Sequence, residues 1–170
     1  MNEYAVTVIG HDRPGIIADV AEVLAGLGLN LTDSTMTRLR GHFAMTLVCA
    51  GAVAAAEIES ALAPLTAGRT LLVTVREVGE DLVDAPSGEH YVLTVHGADR
   101  LGIVAALSRT VAAAGGNITD LTTRLAGNLY VVVAEVDAPG DMADLAAAID
   151  RTAAELGVEA TLRAGEADLM

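Results

Sequence analysis

Apolar and polar positions alternate between two periods along this chain, and the switches mark out its elements. Tyr4 to Gly10 is a short, β-branched apolar run that predicts a strand buried on at least one face. Pro14 and Gly15 end it. Beyond them Ile16, Ile17, Val20, Val23, Leu24 and Leu27 recur at helical spacing with Asp19 and Glu22 on the other side, which predicts an amphipathic helix stopped by Gly28. Leu29 to Leu39 reads as a second strand, Arg40-Gly41-His42 as a tight turn and Phe43 to Ala50 as a third strand. An Ala-rich helix from Val53 to about Ala63, bracketed by Gly51 and Pro64, and a strand from Leu71 to Val78 complete a βαββαβ order.

The order then repeats. A strand ending at Gly97, a helix from about Leu101 to Ala114, and strands Asn117 to Leu125 and Leu129 to Val136 precede a helix from about Met142 to Leu156 and a strand from Val158 to Arg163. The repetition is literal: Tyr4-Ala-Val-Thr-Val-Ile-Gly-His-Asp-Arg-Pro-Gly-Ile16 returns about 87 residues later as Tyr91-Val-Leu-Thr-Val-His-Gly-Ala-Asp-Arg-Leu-Gly-Ile103. Gly28-Leu-Asn-Leu-Thr-Asp33 returns as Gly115-Gly-Asn-Ile-Thr-Asp120. The chain is an internal duplication of units of roughly 80 residues. The expected division is 1–79 and 90–165, with a polar linker over 80–89 and a fraying tail over 166–170. A βαββαβ unit folds as a four-stranded antiparallel sheet with both helices on one face, so the expected class is α+β with two ferredoxin-like units. Each sheet keeps exposed edges, which invite pairing, and a homodimer is expected.

Composition narrows the function. The hydrophobic fraction of 52% gives ample core material, but aromatics are only 2%, so the core must be built from aliphatic residues. The formal net charge is −13, from 23 acidic and 10 basic residues, with no basic cluster. Direct binding to nucleic acid or an anionic membrane is disfavoured, because both need a basic face. No apolar run is long enough for a membrane helix and no basic leader precedes one, so a soluble cytoplasmic protein is expected. Cys49 is the single cysteine, expected to be a buried, inert thiol, and the four histidines have no metal-ligand spacing. No cofactor is expected.

Both copies repeat loop residues as well as apolar ones. Asp12 is placed to cap the first helix, Pro14 to fit its first turn and Gly15 to leave its amides open, which makes a carboxylate site at the positive end of the helix. Asn30 begins the second strand, at the opposite end of the sheet from Asp12, so the two are expected to meet only across an interface. Its amide offers donors and an acceptor, which suits a zwitterion. Asp99, Gly102 and Asn117 are the counterparts in the second copy. There Pro14, His11 and Leu29 give way to Leu101, Ala98 and Gly116, which predicts a looser loop with an emptier neighbourhood.

The strand, Gly-x-Asp-Arg-Pro-Gly-Ile, the helix and the following Gly-x-Asn-Leu resemble the ACT domain, and the whole chain resembles a tandem ACT protein of the glycine cleavage system repressor type. The resemblance implies a non-catalytic regulatory module that binds an amino acid, glycine or serine first, where ACT units meet, and that acts on a partner protein. Carried onto this sequence it implicates His11, Asp12, Arg13, Pro14, Gly15, Ile16, Asn30 and Leu31 of the first copy. In the second copy it implicates Asp99, Arg100, Gly102, Ile103, Asn117 and Ile118. Two alternatives stand beside it: an interaction module without a metabolite, and an acylphosphatase-like hydrolase that would use Arg13 or Arg100 with a strand Asn. The Gly-rich loop of acylphosphatases is absent here.

Overall fold

The computed structural model describes residues 2–68, 70–78 and 88–165. The chain divides into two compact units, Met1–Leu82 and Val83–Met170.

The first unit runs β1 (Asn2–His11), α1 (Ile16–Gly26), β2 (Asn30–Leu39), β3 (His42–Gly51), α2 (Ala55–Thr66) and β4 (Leu71–Val78). Its four strands form one sheet in the order β2-β3-β1-β4, antiparallel throughout. Alternation decides the faces. Tyr4, Val6 and Val8 on β1 and Phe43, Met45, Leu47 and Cys49 on β3 point to one side and are buried against Ile16, Val20 and Leu24 of α1 and Ile58 and Leu62 of α2. Both helices therefore cover the same face. The second unit repeats this with β5 (Glu89–Ala98), α3 (Ile103–Ala113), β6 (Asn117–Ala126), β7 (Leu129–Ala138), α4 (Met142–Leu156) and β8 (Glu159–Ala164), in the sheet order β6-β7-β5-β8. The expected α+β class, two ferredoxin-like units with helices on one face, holds.

Helix ends explain the turns that position the loops. Gly28, at φ 74°, donates to the Ala25 carbonyl while Leu29 donates to that of Leu24, a Schellman close that Gly115 and Gly116 repeat on Ala112 and Val111. In both units the chain then enters an outer strand that carries a bulge, at Leu31/Asp33 and at Ile118/Asp120.

Several boundaries differ from expectation. α2 does not stop before Pro64 but continues through it to Thr66. The ring forfeits one helical bond on an exposed turn, while Leu65 beside it packs on the core and holds the turn in place. Glu89, expected in the linker, already pairs with Ala138 as the start of β5. The rest of the linker, 80–87, and the tail, 166–170, lie outside the described residues.

Candidate functional site

The first-copy loop is fastened from two sides. His11 N–H donates to the Thr70 carbonyl at 2.9 Å and Asp12 N–H to the Gly41 carbonyl at 3.0 Å, which ties the end of β1 to the α2–β4 loop and to the β2–β3 turn. The chain then enters α1 through Gly15, at φ 90° and ψ −5°. This left-handed geometry is open to glycine at little cost. The first helical bond runs from Asp19 N to Gly15 O at 2.9 Å, so the preceding amides face the loop without intrahelical partners.

Asp12 does not cap this helix. Gly15 is the N-cap residue and no side chain accepts from the first turn; Asp12 instead receives Arg38 Nη1 at 3.3 Å from β2. Pro14 accordingly precedes the cap rather than occupying the first helical turn. Arg13 reaches forward to Asp19 at 2.6 Å and also donates to the Pro14 carbonyl at 3.1 Å. Both ion pairs are largely exposed and worth under about 1 kcal/mol each. Neither pair caps the helix, so its first amides have no side-chain partner and the Asp12 carboxylate is turned to β2.

The second copy reproduces this backbone with different clamps. Gly102 stands at φ 89° and ψ 2°, with Ala106 N donating to Gly102 O at 2.9 Å and no side-chain cap. The replacement of Pro14 by Leu101 leaves that backbone geometry unchanged, because the glycine and its helical bond set it. Ala106 stands where Asp19 did, so Arg100 turns to Gly157 at the C-terminal end of α4, where a β-carbon would lie 3.2 Å from Arg100 Nη1. A guanidinium is favourable against that negative helix end. Asp99 is exposed and has no side-chain partner among the described residues.

The remaining expected site residues separate into two groups. Ile16 and Ile103 are buried core residues, and Leu31 and Ile118 are half-buried against the cores, so these four side chains pack inward. Asn30 and Asn117 are exposed at the starts of β2 and β6. Asn30 sits across from Ala50, at the end of the sheet where Asn2 meets Gly51, whereas Asp12 lies at the end where His11 meets His42. Ten-residue strands put roughly 30 Å between them. Within each unit Arg13 therefore stands far from Asn30, and Arg100 far from Asn117.

His11 and His42 face each other across the β1–β3 pair, their ring centroids 5.4 Å apart, and help line a surface groove of about 500 Å³ with Ile9, Thr66, Thr70 and Leu72. Sequence reasoning passed over Arg38, His42 and Thr70. They reach the loop through sheet register and a loop contact, which no local pattern encodes. Among the described residues no group of three or more His, Cys, Asp or Glu side chains gathers to hold a metal, and no helix is long and apolar enough to cross a membrane. Cys49 is wholly buried and its thiol is pushed up by that burial.

The sequence profile of the ACT domain matches residues 4–76 and again 89–163. A UPF0237 protein of Listeria innocua is 33% identical over 81 residues, 47% of this chain and 91% of that protein. A UPF0237 protein of Methanopyrus kandleri is 48% identical over 48 residues, and the match spans only 53% of it. A protein of unknown function from Galdieria sulphuraria superposes with a TM-score of 0.81 at 31% identity, covering 96% of this chain and 98% of that one. A structure described as a putative glycine cleavage system transcriptional repressor superposes with a TM-score of 0.72 at 19% identity, covering 95% and 96%, and shares the fold.

Proposed function

The chain belongs to the ACT domain family, a regulatory fold that it carries twice, and from that premise we propose a regulatory protein that binds a small amino acid and alters contact with a protein partner. The observation that supports it is the twice-built loop: a glycine N-cap with no side-chain cap, uncovered amides, and an aspartate kept off them. A zwitterion needs donors for its carboxylate and an acceptor for its ammonium, and the amides of α1 and Asp12 supply these within one loop. Asn30 adds its amide when another ACT unit brings its strand start against the loop.

Glycine and serine are the first candidates on the family resemblance. The glycine cleavage system named for the structural neighbour points the same way. A net charge of −13 directs any effect on transcription through a partner protein rather than DNA contact.

Differential scanning of thermal unfolding against the standard amino acids tests the reading. A ligand at about a hundred times its dissociation constant adds roughly 2.7 kcal/mol and raises the midpoint by several degrees. Glycine or serine should produce that shift, and Asp12→Ala with Asp99→Ala should abolish it. Silence toward every amino acid at millimolar concentration would leave the loops without a ligand role.

A further inference from the structure

The sheet face turned away from the helices differs between the two units. In the first unit Thr35, Thr46, Thr7 and Thr74 stand in one line across all four strands, with Thr7 and Thr46 hydroxyls 3.4 Å apart. On one side of that line lies the row Thr37, Ala44, Ile9 and Leu72; on the other lies Asp33, Val48, Ala5 and Arg76. Ile9 is 45% and Leu72 62% exposed. The matching rows of the second unit read Arg124, Val131, His96, Glu159 and Asp120, Glu135, Val92, Arg163, with His96 paired to Glu159 at 2.9 Å. One face is dressed for water. The other, in a chain this acidic, keeps charge off its two central strands over three successive rows.

We infer that the helix-free face of the first unit's sheet packs against the same face of a second copy of this chain. Charge placement fits this occupant better than the second unit, whose matching row keeps the edge charges Asp120 and Arg163 but sets Glu135 on a central strand. Asp33 and Arg76 share a row but stand on the opposite edge strands β2 and β4, about 14 Å apart at ordinary strand spacing, too far to pair with each other. A two-fold axis along the strands, between β3 and β1, lays β2 over β4 of the second copy. Asp33 then faces Arg76 of the other chain at both edges, and the threonine lines oppose each other. A C2 interface demands this self-complementarity.

The area suffices. Four strands at about 4.8 Å spacing and eight to ten residues at about 3.4 Å each give roughly 600 Å² per face, so about 1,200 Å² in total, the lower end of specific interfaces. Ala, Thr and Val let two sheets approach to the usual separation of about 10 Å.

Sedimentation velocity of the full chain between about 1 and 100 µM is the test. Wild type should be dimeric. Val48→Glu copies the residue that the second unit carries at the matching position, Glu135, so the fold accommodates it; it should weaken the dimer by roughly 100-fold with an unchanged circular dichroism spectrum. Asp33→Arg should weaken association by about tenfold, and combining it with Arg76→Asp should restore it. A monomeric wild type, an unaffected Val48→Glu dimer, or a double variant no tighter than the single one each overturns the inference.

Discussion

Leu29 occupies the space that a side chain on residue 51 would need: a β-carbon built at Gly51 would lie 2.5 Å from Leu29 Cδ2. The second unit solves the same corner in reverse. Ala138 stands at the position of Gly51 and Gly116 at that of Leu29, and a β-carbon on Gly116 would come within 3.1 Å of the Ala138 methyl. Gly116 is therefore closely packed. Each unit places one side chain at this junction and a glycine opposite it.

That reciprocity predicts a coupling. Gly51→Ala should cost about 1–2 kcal/mol in wild type, since Leu29 is buried and has little room to retreat. In a Leu29→Ala background the same change should cost nothing or stabilise, because the space is then free and alanine restricts the unfolded chain. Urea unfolding of the four proteins measures this; strictly additive energies would show that the two positions do not compete.

Gly10, near the end of β1, and Gly15, at the start of α1, should respond for different reasons. At Gly10 a β-carbon would overlap the Thr70 carbonyl, which accepts from His11 N, so Gly10→Ala must displace backbone and should cost about 3 kcal/mol or more. Around Gly15 there is space, the nearest atom being Arg13 Nη1 at 3.7 Å, and only the φ of 90° resists a side chain. Gly15→Ala should cost about 1–2 kcal/mol, and Gly102→Ala, at φ 89°, the same. Thermal and urea unfolding of the three variants would expose a wrong ranking.

Cys49 offers a chemical check on the first core. Burial disfavours its thiolate, so the folded protein should resist a thiol reagent at pH 8 and react only as it unfolds. The sign for stability follows. The unfolded thiol ionises first as pH rises, so the protection that burial gives is full below the ordinary thiol range and declines above it. Rapid labelling of the native protein would place Cys49 outside the core.

The element order was legible because the two periods of apolar residues alternate cleanly and the chain states them twice. Gly28 and Gly115 announced their helix stops for a local reason, a left-handed residue at C′. The clamps were not legible. Asp12 looked like an N-cap from its distance to the helix, yet the cap is set by the backbone of Gly15, and the partner of Asp12 is Arg38, which only sheet register brings near. Arg13 and Arg100 sit in matching phrases but turn to different partners, because Asp19 has become Ala106.

Asp12 and Asp141 separate a binding role from a structural one. Asp141 does cap: its Oδ1 accepts from Ala143 N at 2.9 Å at the start of α4. Asp141→Ala should therefore cost about 1 kcal/mol and leave amino-acid binding unchanged. Asp12 caps nothing and makes one exposed pair, so Asp12→Ala should change stability by less than about 0.5 kcal/mol. Its effect should fall on the ligand, with affinity at the first loop reduced by roughly tenfold or more once the ammonium loses its acceptor. Calorimetric titration of both variants beside their urea unfolding curves reads the two axes separately. If Asp12→Ala lost stability as Asp141→Ala does while binding held, the first loop would be a fold element, and the proposed recognition of a zwitterion there would lose its acceptor.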